Sequence, residues 1–233
     1  MLDVPQLTAE EILARVLHRD GLMLVIDKPA GLPVHRGPKG GPNLEASFDA
    51  LRFGLPRPPV LAHRLDKDTS GCLVLGRHRK ATASLGLLFK HGKISKTYWA
   101  IVEGGPAEGE GTIDMPLGRL NAERGWWQKV DPEGQQAVTN WKVMGRGEGL
   151  TWLALEPVTG RTHQLRVHSA AQGWPIFGDN IYGNGPRFGE PRLHLHSREI
   201  GIPISKNKEP VRVVAPAPEH MRERLRACGW NGE

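Results

Sequence analysis

Residues 63–77 read HRLDKDTSGCLVLGR. Polar chemistry is packed into the first nine positions, and an apolar run begins only at Cys72. The run predicts a strand, so 63–71 must be the loop that enters it. In such a loop Leu65 turns inward as an anchor, and its neighbours Arg64 and Asp66 are displayed. Thr69 and Ser70 supply hydroxyls that brace the backbone, and Gly71 permits a tight turn. Spacing alone equally allows a plain surface turn, with Arg64 and Asp68 as exposed ion-pair members.

The segments on either side follow from the same kind of pattern. LMLVI at 22–26 predicts a buried strand. TAEEILARVLH at 8–18 predicts a helix opened by a Thr8–Glu11 capping box. Four prolines break the loop at 28–43, and LEASFDALR after it reads as a short amphipathic helix. A helix ending at Gly92 and a strand over 96–104 come next. Short strands split by Gly, Pro and Asp occupy 105–160 and include WWQKV; they suit an antiparallel meander. THQLRVHSAAQG at 162–173 predicts a helix, LHLHSREIGI a strand and EHMRERLRACG a last, basic helix. Strands dominate without regular alternation with helices. The expected fold is α+β, a single domain over 1–233 with a mostly antiparallel mixed sheet flanked by helices and loops.

The chain has 233 residues, enough for a sizeable core, and a net charge of +6. That balance favours a polyanionic partner. The two cysteines, Cys72 and Cys228, are far apart and no CxxC occurs, which excludes a disulfide framework and a cysteine-rich zinc site. The beginning of the sequence is acidic and lacks a signal pattern, and no apolar run is long enough for a membrane span. A cytoplasmic location is expected. Neither GxxxxGK[ST] nor GxGxxG is present, so nothing points to a nucleotide cofactor. In GRTHQLRVHSAA, His163 and His168 fall roughly 140° apart on a helix and do not share a metal. Arg166 sits between Leu165 and Val167; if buried, it needs a carboxylate.

HRLDKDTSGCLVL, KTYWAIVEG and GRTHQLRVHSAAQGWPIFGDNIYG, with VIDKPAGLPVHRG before them, together resemble the RluA-type family of RNA pseudouridine synthases. The resemblance runs from about residue 22 to residue 203. It departs at the strand after HRLD, where Cys72 and Gly76-Arg77-His78 replace the usual small apolar residues. The added N-terminal S4-type RNA-binding domain of many members is not expected here, the leader being short.

The resemblance implies an isomerase that breaks the N1–C1′ bond of uridine, turns the uracil and joins C5 to C1′. Asp66 falls on the family's catalytic aspartate, acting as a nucleophile on ribose or base or as a base toward a ribose proton. Arg166 falls on the arginine that pairs with it and holds it ionised against desolvation. Tyr98 falls on the tyrosine that stacks on the uracil, and Leu165 on the apolar residue beneath the base. Arg64 falls on the residue that fills the space left by the flipped uridine. His63 orients Asp66, meets phosphate or is simply a structural histidine. Lys28 and Arg161, with Arg36, Lys39, Arg119, Arg124, Lys129 and Arg187, are candidates for backbone contacts. Trp126 and Trp127 either stack on bases or fill the core. The expected partner is a tRNA or rRNA stem-loop, with no membrane, no metal and no cofactor, and the expected state is a monomer.

Two rivals follow from the residues alone. A non-catalytic RNA-binding module explains the charge but gives Asp66 no task. A glycoside-cleaving hydrolase using Asp66 and Asp68 predicts free uracil or abasic RNA among the products.

Overall fold

A computed structural model describes residues 4–123 and 125–233. In chain order the elements are α1 (Ala9–Leu13), β1 (Val16–Arg19), β2 (Met23–Lys28), a 3-10 segment (Glu45–Leu51), β3 (Val60–Leu61), β4 (Ser70–Gly76), α2 (Arg79–Lys90) and β5 (Ser95–Glu103). They continue with β6 (Glu110–Asp114), β7 (Leu117–Arg119), β8 (Gln128–Val130), β9 (Val138–Gly147), β10 (Leu150–Pro157), α3 (Gln164–Ala171), β11 (Leu195–Ile202), β12 (Val211–Val214) and α4 (Glu219–Ala227).

The chain packs as two compact units, Met1–Ser95 with Ser197–Pro216 and Lys96–His196 with Ala217–Glu233. The chain passes between them within β5, within β11 and again between β12 and α4.

In the first unit, β2 pairs antiparallel with β1 on one side and β4 on the other, and Lys28 faces Gly71 across the second pairing. β3 adds to β4, and β11 pairs with β12. Met23 and Val25 of β2, Cys72 and Val74 of β4, Ile200 and Ile202 of β11 and Leu85 of α2 share one core. The capping box forms as expected: the Glu11 N–H donates to Thr8 Oγ1 at 3.1 Å, and the Thr8 N–H to Glu11 Oε2 at 2.7 Å. The helix it opens is shorter than expected. Val16–Arg19 leaves it for β1, which pairs antiparallel with β2 at the edge of the sheet.

In the second unit β5 pairs with β10, β10 with β9 and β9 with β6, all antiparallel. Alternate residues of β5 face opposite ways, as the strand period requires. Ala100 and Val102 join Leu153, Leu155, Leu165 and Trp174. Ile101 joins Trp152 and the α4 residues Met221 and Leu225. The α+β class with a mostly antiparallel sheet holds.

Candidate active site

The HRLD segment is a loop, and it is held from several directions. Leu65 is buried, Arg64 is exposed and Asp66 is half-buried. His63 opens the loop: its Nε2 accepts the Val74 N–H at 2.9 Å and its ring stacks on Phe89 with centroids 4.1 Å apart. These contacts anchor the loop to β4 and to α2. The Thr69 N–H closes a turn onto the Asp66 carbonyl at 3.2 Å. At Gly71 the backbone has φ +105°, and a Cβ there would collide with the Ser197 carbonyl.

Lys28 departs from expectation. It is fully buried, and its ammonium donates to the carbonyls of Pro29 (2.9 Å), Lys67 (2.8 Å) and Thr69 (2.9 Å). A backbone phosphate has no access to it. Burial pulls its pKa down to about 7, against the opposing pull of the Asp68 and Asp66 charges.

In the second unit the sequence around α3 builds a dense polar cluster. Gln164, the first helical residue, is braced on all sides. Its Oε1 accepts from Thr159 Oγ1 (2.7 Å) and the Arg161 N–H (3.1 Å), and its Nε2 donates to Val138 O and Thr139 Oγ1, both at 2.9 Å. His168 donates from Nε2 to Met115 O and accepts at Nδ1 from Thr139, each at 2.9 Å. Burial lowers its pKa, so it stays neutral as a structural brace. Among the described residues no group of three His, Cys, Asp or Glu is placed to hold a metal.

Arg166 is 3% exposed and has the carboxylate its burial demands. Within its own unit that carboxylate is Asp179, which accepts Arg166 Nε at Oδ2 (2.9 Å) and Nη2 at Oδ1 (2.7 Å). Asp179 Oδ1 also accepts the Ile181 and Tyr182 N–H groups. Burial alone would raise the Asp179 pKa; the hydrogen bonds and charge of Arg166, aided by the two amides, outweigh it and hold the carboxyl below its ordinary value. Sequence reasoning passed over Asp179. The available signal was an acidic residue between Gly178 and a turn in FGDNIYG, where an Asp receives backbone N–H groups two and three positions on.

Tyr182 extends this cluster. Its hydroxyl accepts the Gln128 N–H at 3.0 Å and donates to His163 Nδ1 at 2.6 Å, and the Arg166 guanidinium lies 5.4 Å from its ring centroid. His163 holds the left-handed backbone (φ +53°) ahead of α3, and Trp126 meets its ring edge-on at 5.0 Å. Trp126 and Trp127 are not in a strand as expected but in the turn between β7 and β8, where Trp126 is 58% exposed. Leu165 is buried in the core that Tyr98 packs against. Arg161 is exposed, with Nε on Gln136 O. Arg36, Lys39, Arg119, Lys129 and Arg187 are also exposed, and Arg124 lies outside the described residues.

The chain matches the RNA pseudouridylate synthase family over residues 22–171, and it belongs to that family. It is therefore an isomerase that converts uridine in RNA to pseudouridine. It is 44% identical over 207 residues to an uncharacterized RNA pseudouridine synthase of Zymomonas mobilis, covering 88% of this chain and 94% of the relative. It is 36% identical over 239 residues to the ribosomal large subunit pseudouridine synthase D of Xanthomonas campestris, covering 94% of this chain and 70% of the relative. Among solved structures, human RNA pseudouridylate synthase domain containing 4 superimposes with a TM-score of 0.79 at 27% identity, covering 94% and 95% of the two chains.

Proposed function

We propose that Asp66 is the essential carboxylate of this isomerisation and that the substrate is a uridine flipped out of a tRNA or rRNA stem-loop. One observation carries the reading. The backbone around Asp66 is pinned by His63, Lys28 and the close approach of Gly71 to Ser197, while the Asp66 side chain itself is left half-buried. A surface turn has no use for such restraint; a carboxylate that must meet a ribose or base within a fraction of an ångström does.

The reaction is redox-neutral and the uracil never leaves, so no cofactor is called for. It asks for an ionised carboxylate, a platform for the turning base and a means of paying for unstacking. Tyr98 is the proposed platform, Leu165 the apolar floor and Arg166 the cation that accompanies the reacting carboxylate. Exposed Arg64 takes the place of the flipped base in the RNA stack, offsetting a cost of a few kcal/mol. Arg161, Arg119 and Lys129 meet phosphates, and Trp126 stacks on an unpaired base. The protein acts in the cytoplasm as a monomer on this reading.

RNA carrying tritium at uridine C5 tests it directly, because forming the C5–C1′ bond releases that hydrogen. Wild-type protein should release tritium from total tRNA or rRNA, and Asp66→Asn should not. Pseudouridine maps of cellular RNA with and without the gene identify the target, and identical maps would overturn the reading. Free uracil among the products would establish the hydrolase instead.

A further inference from the structure

α2 is a helix without a carboxylate. Between Asp68 and Glu103 the sequence has neither Asp nor Glu. The helix opens on Arg79 and Lys80, at the end where the helix dipole disfavours cations. Its N-cap is His78, whose Nδ1 accepts the Ala81 N–H at 3.3 Å, where Asp, Asn, Ser or Thr is preferred. Helix stability therefore does not account for this charge pattern.

One side of α2 is committed to the core: Ala81 and Leu85 are buried, and Leu88 and Phe89 pack against the same cluster as Leu85. At 100° per residue, Arg79, Lys80, Ala83, Leu87 and Lys90 fall within an arc of about 100° on the other side, and all five are exposed. The cations stand at the two ends, about 16 Å apart at 1.5 Å per residue, with small Ala83 and Ser84 between them. Among the described residues Arg79, Lys80 and Lys90 form no ion pair and no side-chain hydrogen bond. Phe89 fixes where this face lies. Its ring stacks on His63 with centroids 4.1 Å apart, and His63 opens the loop that carries Arg64 and Asp66. The helix then ends at Gly92, which takes φ +64°, and the Lys93 N–H returns to the Leu88 carbonyl at 2.9 Å. Lys93 is exposed, as are Arg64 and Lys67 of the loop.

We propose that the outward face of α2 is an RNA-binding surface: Arg79, Lys80 and Lys90, with Lys93 beyond the cap, hold the sugar-phosphate backbone of the stem that flanks the target uridine. Cations without carboxylate partners on one exposed face suit a polyanion. Ala83 and Ser84 let a phosphate backbone come close. The contact is to phosphate and carries no sequence information. That this stem flanks the target rests on Asp66 being the catalytic group; the phosphate contact itself does not.

Lys80→Gln combined with Lys90→Gln removes two charges from this face and breaks no ion pair. Binding of a synthetic RNA stem-loop is then measured against salt. The slope of log K on log salt should flatten by about 1.5, at about 0.7–0.9 per lost phosphate contact. Turnover of C5-tritiated RNA at saturating concentration should stay within about twofold. Lys206→Gln combined with Lys208→Gln removes the same charge from the exposed turn before β12 and should leave the slope as it is. An unchanged slope in the α2 pair, or equal flattening in both pairs, overturns the proposal. In the native chain, bound stem-loop should shield Lys80 and Lys90 from acetylation while Lys206 and Lys208 still react. Equal acetylation of Lys80 and Lys90 with and without RNA overturns the proposal even if the variants do not fold. A flattened slope in the α2 pair, in a protein whose Asp66→Asn variant still forms pseudouridine, supports the phosphate contact and refutes the Asp66 reading alone.

Discussion

Arg166 and Asp179 form a two-point ion pair, Nε to Oδ2 at 2.9 Å and Nη2 to Oδ1 at 2.7 Å, with both side chains closed to solvent. The guanidinium projects from α3, and the carboxylate also receives the Ile181 and Tyr182 amides. One carboxylate thus sets both the direction of Arg166 and the turn that carries Tyr182. Asp179→Ala takes a two-point carboxylate partner from a buried guanidinium and should cost about 3–5 kcal/mol of stability, measured by urea unfolding.

Asp66→Asn should behave in the opposite way. The site is half-exposed and the new side chain has the same shape, so stability should change by less than about 1 kcal/mol. Pseudouridine formation should fall to background while RNA affinity persists. Retained turnover in Asp66→Asn would remove Asp66 from the mechanism.

Gly71→Ala should be severely destabilising, by about 2 kcal/mol or more. The position combines φ +105° with the Ser197 carbonyl where a Cβ would sit. The loop then has to move away from β11, and activity should be lost even at temperatures where circular dichroism shows a folded chain.

Trp126→Ala tests the β7–β8 turn as an RNA contact. The ring is 58% exposed, so removing it should leave the melting temperature within a degree or so. Affinity for substrate RNA should weaken by about 1–3 kcal/mol if the ring stacks on a base. Equal affinity in a filter-binding titration would make Trp126 merely a lid over His163.

Acidification should destabilise the fold beginning near pH 6.5. Burial holds the pKa of His194 down to about 3 and lowers those of His168 and His220. In the unfolded chain these rings take up protons at about 6.5. Between that value and the folded ones the unfolded state binds more protons, so stability falls as pH falls. Asp179 adds a second loss at lower pH, because its depressed carboxyl stabilises the fold only above its unfolded value of about 4. Melting temperatures should decline by several degrees from pH 7 to pH 5, and His194→Gln should flatten the slope.

Strand and helix character, the loop before Cys72, the inward turn of Leu65 and the family itself were legible in the residues, because each depends on local periodicity or on a short run of side chains in fixed order. The need of a buried Arg166 for a carboxylate was legible too. Its partner Asp179 was not, nor was the burial of Lys28, which lies 39 residues from one of its acceptors and 41 from another. From the sequence Lys28 is one more cation on a Pro/Gly-rich segment. Only the β2–β4 pairing, which sets Lys28 opposite Gly71, turns its ammonium onto the carbonyls of the Asp66 loop. Local pattern dictates what a residue can do within a few positions of itself; which distant carbonyl or carboxylate it meets is decided by how the strands register, and that is a property of the folded chain.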